Sequence, residues 1–226
     1  MKKMRSIKKK KVLICFIGID GTGKTTLARK LVEVMNEQGI GTKYVWSGLQ
    51  PGLLRPFIWI GRTFFIPPGD PLARTYISYS TTIRKVTRNP IVRTMYEFVL
   101  LLDYARQLLW TIRIPMMRGK SIVSDRYGYD ILIDLCVVLG YSDRKMDRTL
   151  KAFEHLLPKP SLTFVIDAPE EIALKRKDDI PSISHLSERR QIYLGTAKQY
   201  GFVMLDGAAT LPELQAKIWT KVREII

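Results

Sequence analysis

The residues from Gly18 to Thr25 combine three glycines, one lysine and two threonines at a spacing that suits phosphate chemistry. They fit the pattern G-x-x-x-x-G-K-[ST] without a gap. Glycine lets backbone N–H groups turn toward an anion, Lys24 can reach the β- and γ-phosphates of a nucleotide, and the Thr25 hydroxyl can hold Mg²⁺. An apolar run before the motif and a helical pattern after it favour a phosphate-binding loop over a glycine turn that binds nothing. The residues expected to bind ATP here are Gly18, Ile19, Asp20, Gly21, Thr22, Gly23, Lys24, Thr25 and Thr26.

A second chemical pair, Asp125 and Arg126, ends a later apolar run. The carboxylate can hold a Mg²⁺-bound water, and the guanidinium can face the oxygens of a transferring phosphoryl group. We therefore predict a metal site at Thr25 and Asp125, and a catalytic role for Lys24, Asp125 and Arg126. A GTPase would need an N-K-x-D tetrapeptide, which the sequence lacks, and motor or transport ATPases usually end this strand with consecutive acids. An ordinary Asp–Arg surface pair is the alternative interpretation.

Five short apolar runs recur along the chain, each followed by a helical pattern, and they provide the elements that position these residues. Continuous apolar runs are typical of parallel strands buried on both faces, and parallel strands need helical crossovers. The sequence therefore predicts an α/β fold, a three-layer α/β/α domain with a five-stranded parallel sheet. Asp125, Asp167 and Asp206 each end a run, at the sheet edge where such folds bind ligands. The predicted strands cover residues 12–19, 43–46, 121–125, 161–167 and 202–206.

The connection between the second and third predicted strands is unusually long. It begins as a loop after residue 46 and passes through a proline-rich turn at residues 67–71. Helical sequence follows over about 72–88, and a long helix is predicted over 91–114, ending before Pro115.

The chain resembles the thymidylate kinase family of nucleoside monophosphate kinases. The resemblance rests on the phosphate-binding loop, on Asp125-Arg126-Tyr127, on the helix Leu100–Gln107, and on the C-terminal third from Asp167 to Gly207. It implies a single kinase domain over residues 12–226 that transfers the γ-phosphoryl group of ATP, most simply to dTMP. The family's fold and nucleotide substrates are expected here as well.

The resemblance also implies roles for particular residues. The acceptor-side residues are expected to be Asp20, on a sugar hydroxyl, and Arg106, Arg126 and Tyr127. Residues 170–191 are expected to form a lid that closes arginines over the donor phosphates, because the phosphate-binding loop itself carries no arginine. The candidates for the lid cations are Arg176, toward ATP, and the catalytic pair Arg189 and Arg190.

Departures from the family pattern concentrate on the acceptor side. Leu102 stands where the family has a base-stacking Phe, and Gly128-Tyr129-Asp130-Ile131 replaces small polar residues after Asp125-Arg126-Tyr127. The segment 47–95, called the divergent segment below, has no clear counterpart. We therefore expect that ATP binding is intact and that recognition of the thymine base is weakened.

The nature of the acceptor is constrained by its chemistry. A monophosphate carries nearly two negative charges at neutral pH, its second pKa being about 6, and needs cations rather than a general base. A hydroxyl acceptor would need a carboxylate base, and Tyr44–Gln50 contains no acid. This favours a nucleoside monophosphate. A same-scaffold kinase for another phosphorylated metabolite or a nucleoside is the alternative enzyme, and a basic nucleic-acid or membrane-surface protein with a regulatory nucleotide site is the alternative of another class.

Composition bounds the remaining possibilities. The 226 residues carry a net charge of +16, of which residues 1–11 supply seven and residues 51–120 a surplus of eight. The basic tail (residues 1–11) is interpreted as a solubilising segment, with contact to RNA or acidic lipid as the alternative. The two cysteines show no metal spacing, and no signal peptide or membrane span is expected. A cytoplasmic location and a homodimer are expected.

Overall fold

The computed structural model describes residues 10–53, 55–56, 59, 80, 83–176 and 183–226. Five strands form one sheet of order β2-β3-β1-β4-β5, and all four strand pairs are parallel. This confirms the predicted α/β fold, a three-layer domain with a five-stranded parallel sheet. The strands are β1 Leu13–Ile17, β2 Thr42–Trp46, β3 Ser121–Asp125, β4 Leu162–Asp167 and β5 Val203–Asp206. The helices are α1 Lys24–Glu37, α2 Pro90–Leu108, α3 Ile114–Met117, α4 Gly128–Leu139, α5 Asp143–Leu156, α6 Glu170–Lys175, α7 Ile183–Tyr200 and α8 Leu211–Arg223.

The central strand β1 is fully buried because helices cover both faces of the sheet. Its alternate residues Leu13, Cys15 and Ile17 pack into a core with α2, α4 and α7, whereas Ile14 and Phe16 pack against α1 and α8. This two-sided burial is why the strand is a continuous apolar run. The predicted strand ends at Asp125, Asp167 and Asp206 are confirmed, so three carboxylates lie at one edge of the sheet.

The predicted end of the long helix before Pro115 is wrong. The helix α2 continues through a π-helical turn, Leu109–Arg113, into α3, so that Pro115 lies in the first turn of α3. A proline within an α-helix removes one hydrogen bond and its ring clashes with the carbonyl four residues earlier. A π-helical turn contains one residue more than an α-helical turn. The first turn of a helix tolerates proline, because the N–H that proline lacks would have no partner within the helix there. The chain therefore passes Pro115 without ending the helix.

Several predictions fall on residues outside the described part of the chain. Residues 1–9 of the basic tail, residues 60–79 of the divergent segment and residues 177–182 of the predicted lid belong to this group. Within the predicted helix over 72–88, residues 80 and 83–86 are described and are helical. No helix among the described residues is long and apolar enough to cross a membrane.

Candidate phosphoryl-transfer site

The phosphate-binding loop connects the end of β1 to the start of α1, and its glycines have conformations that other residues rarely adopt. Gly18, Gly21 and Gly23 have φ angles of 134°, 85° and 93°. A Cβ atom at Gly18 would lie 2.6 Å from the Ile166 carbonyl oxygen, and one at Gly21 would lie 2.3 Å from that of Ala173. Backbone conformation therefore favours glycine at all three positions, and close packing against neighbouring backbone also requires it at Gly18 and Gly21.

The Lys24 side chain lies over this loop and is almost completely buried, with 5% exposure. Its ammonium group donates hydrogen bonds to the Gly18 and Ile19 carbonyl oxygens at 2.8 and 2.6 Å, and lies 3.7 Å from an Asp20 oxygen. Burial lowers the pKa of Lys24, repulsion by Arg126 lowers it further, and nearby carboxylates oppose both effects. A buried cation thus lies at the start of α1, where a helix dipole also favours anions.

The Thr25 hydroxyl and the Asp125 carboxylate meet beside the loop. Thr25 Oγ1 donates to Asp125 Oδ2 at 2.5 Å, and the Tyr44 hydroxyl donates to the same oxygen at 2.9 Å. The parallel register brings them together, since Asp125 pairs with Phe16 of β1 and Trp46 of β2. These hard oxygen atoms are the ligands that Mg²⁺ prefers, so the residues fit the predicted metal site. Sequence reasoning missed Tyr44, because the sequence of a single strand does not show which residues of the neighbouring strand lie beside it.

Arg126 follows β3 and contacts Asp20 of the phosphate-binding loop through an ion pair. Among the described residues, Arg126 is the one non-glycine residue with positive φ, 69°; such backbone costs about 1 kcal/mol or more and is concentrated at functional sites. Its amide donates to the Phe16 carbonyl at 2.9 Å. Burial disfavours the charged guanidinium and lowers its pKa, but electrostatic attraction to Asp20, Asp130 and Asp134 outweighs this effect. The pKa of Arg126 is therefore raised.

The predicted acceptor residue Arg106 lies on α2 beside the start of the divergent segment. Its guanidinium donates to Asp103 Oδ1 at 3.0 and 3.2 Å, while the Gly52 amide donates to Asp103 Oδ2 at 2.6 Å. Gln107 holds the same loop from the next turn, accepting from the Gln50 amide and donating to a loop carbonyl. Sequence reasoning missed Asp103 and Gln107 because the loop they bind has no local signal. The helix therefore fixes residues 47–52 near Arg106.

A cavity of about 360 Å³ adjoins Arg106 and has mostly apolar walls. Leu102, the residue at the family's Phe position, is 48% exposed. Tyr127, predicted on the acceptor side, is buried, and its hydroxyl donates to the carbonyl oxygen of Pro158. The lining residues are Leu102, Ala105, Arg106, Leu108, Leu109, Arg113, Leu157 and Pro158.

Each of the three predicted lid arginines has an acceptor outside the predicted lid, and Arg190 also has one inside it. Arg176 donates to the Gly207 carbonyl at 3.2 Å. Arg189 is buried and donates to Asp134 at 2.8 Å. Arg190 holds both oxygens of Asp167 at 2.6 and 2.9 Å and Glu170 at 2.9 Å, and the hydrogen bond to Asp167 is the main reason its pKa is raised. Their predicted contacts with donor phosphates stay predictions.

The five-stranded parallel sheet and the glycine loop between β1 and α1 have the arrangement of a P-loop kinase fold. No family model matches the chain. It is 28% identical over 211 residues to a probable thymidylate kinase of Sulfurisphaera tokodaii, covering 90% of this chain and 92% of the relative. It is 25% identical over 219 residues to a thymidylate kinase of Fervidobacterium nodosum, covering 92% and 96%. The predicted resemblance to the thymidylate kinase family is thus confirmed over most of the chain, and with it the prediction of an enzyme of the nucleoside monophosphate kinase type.

Proposed function

We propose that this protein transfers the γ-phosphoryl group of ATP to a nucleoside monophosphate, with dTMP as the first candidate. The observation that carries the proposal is the pairing of two cations, Lys24 and Arg126, at the phosphate-binding loop. They come from different elements and contact the same oxygen, Asp20 Oδ1. Burial lowers the pKa of Lys24, and repulsion by Arg126 lowers it further. Two neighbouring cations repel each other in the absence of an anion. They can neutralise two phosphate groups that must approach each other for transfer.

The donor phosphates would lie on the backbone N–H groups of residues 19–25, with Lys24 on their oxygens. Thr25 and Asp125 would hold Mg²⁺, which when bound neutralises charge on the β- and γ-phosphates. The acceptor phosphate would lie toward Arg126, which must exchange its contact with Asp20 for phosphate oxygens. Since a phosphomonoester is itself the nucleophile, these residues need only orient and neutralise.

The organic part of the acceptor would lie toward Arg106 and the adjoining cavity. The exposed Leu102 side chain provides an apolar surface but no aromatic ring on which a base can stack. This observation favours weak discrimination among acceptors, and it supports the second candidate function, a same-scaffold kinase acting on another phosphorylated metabolite. A homodimer and a cytoplasmic location remain predictions. So does the interpretation of the basic tail as a solubilising segment, with contact to RNA or acidic lipid as the alternative.

The lid arginines would contribute only after changing partners. For Arg190 to reach donor phosphates, it must leave Asp167 and Glu170, and Arg189 must leave Asp134. We propose that nucleotide phosphates compete with these carboxylates, since charge-assisted hydrogen bonds to phosphate are of comparable strength.

The test is ADP release by the purified protein with Mg²⁺ and ATP across dTMP, dUMP, dCMP, dAMP and the corresponding nucleosides. The proposal predicts release that depends on a monophosphate and is lost in Lys24→Ala. Release driven only by nucleosides, or only by a phosphorylated compound that is not a nucleotide, would favour the alternative kinase. Salt-sensitive binding to RNA or anionic vesicles without ADP release in any mixture would contradict the enzyme assignment.

A further inference from the structure

The helix α2 is apolar on the side that faces solvent as well as on the side that faces the core. Leu100, Tyr104 and Leu108 are buried in the core, whereas Phe98 is 65% exposed. The solvent side of a surface helix is normally polar, and exposed apolar patches mark binding surfaces. The exposed apolar residues of α2, the π-turn and α3, called the apolar face, are Ile91, Met95, Phe98, Leu102, Leu109, Trp110 and Met117. Within α2 their spacing of four, three and four residues places them on one side of the helix.

The exposed charges along this helix are all basic. Within residues 88–120, every one of which the structure describes, the acids are Glu97 and Asp103. Glu97 is held by Arg93 and Lys145, and Asp103 is buried and held by Arg106. The exposed charged residues are Arg88, Arg106, Arg113, Arg118 and Lys120. An apolar face with aromatic residues and neighbouring cations is the composition of a helix that lies on an anionic membrane.

The basic tail joins the folded domain beside the end of the same helix. The Val12 amide donates to the Ser121 hydroxyl at 3.3 Å, and the basic residues 118–120 lead directly into Ser121. The two lysines at residues 10–11 are exposed and directly precede Val12. Residues 1–9 carry five further positive charges in the sequence. A polybasic segment therefore starts next to the cationic end of the apolar face, and stable membrane binding usually needs two such signals together.

We propose that the apolar face binds the surface of an anionic membrane. The helix from Pro90 to Met117 is about 40 Å long, and its apolar side chains would enter the headgroup region while the cations contact lipid phosphates. A symmetric contact with a second copy would bring the same cations together, and residues 88–120 contain no exposed acid to pair with them. Nucleic acid would match the cations but not the aliphatic side chains of Ile91 and Met95.

The experiment is cosedimentation of the full chain with vesicles, without nucleotide. One set of vesicles contains equal parts phosphatidylglycerol and phosphatidylcholine, and the other contains phosphatidylcholine alone. We expect binding to the anionic vesicles that weakens as salt rises. The double variant Phe98→Gln/Met117→Gln should bind them at least about tenfold more weakly.

The matched control is Met204→Gln/Leu211→Gln, which removes two exposed apolar side chains from β5 and α8. It should bind the anionic vesicles as the wild type does. Melting temperatures should change little in either variant, because all four side chains are exposed and no core contact is lost.

The inference does not depend on the proposed function. Leu102 and Leu109 of the apolar face also line the cavity beside Arg106, whereas Phe98 and Met117 do not. ADP release in solution should therefore be unchanged in Phe98→Gln/Met117→Gln. Absence of transfer by the wild type would contradict the proposed function and leave the vesicle result standing.

Three results would overturn the membrane proposal. The first is no binding to either kind of vesicle; if the wild type is then a dimer that Phe98→Gln/Met117→Gln dissociates, the apolar face is an interface between two copies. The second is equal binding to neutral and anionic vesicles, which would leave the cations without a role. The third is equal binding by the wild type and Phe98→Gln/Met117→Gln, which would show that charge alone is sufficient and favour nucleic acid as the partner of the cations.

Discussion

At Arg126, a pair of substitutions can distinguish the effect of losing the charge from the effect of the strained backbone conformation. Arg126→Ala removes a cation from a partly buried site, where two opposite charges about 4 Å apart interact by roughly 4 kcal/mol at an effective dielectric constant of 20. Its side chain keeps 22% exposure, so solvent reduces the loss in the transition state to about 2–4 kcal/mol. That range corresponds to a decrease of roughly 30- to 1,000-fold in kcat/KM for the acceptor.

The matched variant is Arg126→Gly, which removes the same charge but suits the φ of 69°. It should lose as much activity as Arg126→Ala while being more stable by about 1 kcal/mol, because alanine is strained in the left-handed region. Arg148 on α5 is exposed and provides a control. Arg148→Ala should leave both kcat/KM for the acceptor and the free energy of unfolding unchanged.

The assay is steady-state ADP release with acceptor and ATP varied separately, combined with urea unfolding. A loss confined to kcat/KM for ATP would move Arg126 to the donor side and refute the acceptor assignment. Recovery of activity in Arg126→Gly would show that backbone strain, rather than lost charge, caused the defect in alanine.

Three further predictions follow from the same geometry. Lys24→Ala should abolish transfer while far-ultraviolet circular dichroism stays unchanged, because the side chain contacts loop carbonyls and not the core; wild-type turnover would contradict the donor site. Gly21→Ala should lose ATP binding in calorimetry, since its Cβ would lie 2.3 Å from a backbone oxygen, whereas Gly195→Ala, in open space on α7, should be as stable or up to about 1 kcal/mol more stable. Discrimination of dTMP from dUMP in kcat/KM should be below about tenfold, since a methyl group contributes only ~1 kcal/mol, and the same limit is expected for dCMP and dAMP, since the exposed Leu102 offers no aromatic ring for base stacking; a preference for dTMP above about a hundredfold would show that a thymine pocket exists.

The fold and the conformation of the glycine loop before α1 were predictable because their signals are local. Strands buried on both faces must be continuous apolar runs, which is why Asp125 could be assigned to a strand end. The phosphate-binding loop needs glycines at fixed positions because only glycine has the required φ angles and clearance. Both properties are visible in a short window of sequence.

The contacts that complete the site were not predictable because they depend on register and long-range pairing. Tyr44 reaches Asp125 from a strand 81 residues earlier in the chain, and Asp103 reaches the Gly52 amide across 51 residues. The passage of the helix through Pro115 depends on a π-turn, and a proline alone indicates only a helix end. The lid arginines could be identified as charged candidates, but their partners Asp134 and Asp167 could not.

Transfer of the γ-phosphoryl group to a monophosphate can be followed with an isotopic label. The protein is incubated with Mg²⁺, dTMP and ATP labelled in the γ-phosphate, and the products are separated chromatographically, with Lys24→Ala as the paired control. We expect label in a nucleoside diphosphate formed from the added monophosphate, and no such product with Lys24→Ala. Label that appears only in inorganic phosphate, whatever monophosphate is supplied, would contradict the proposed transfer.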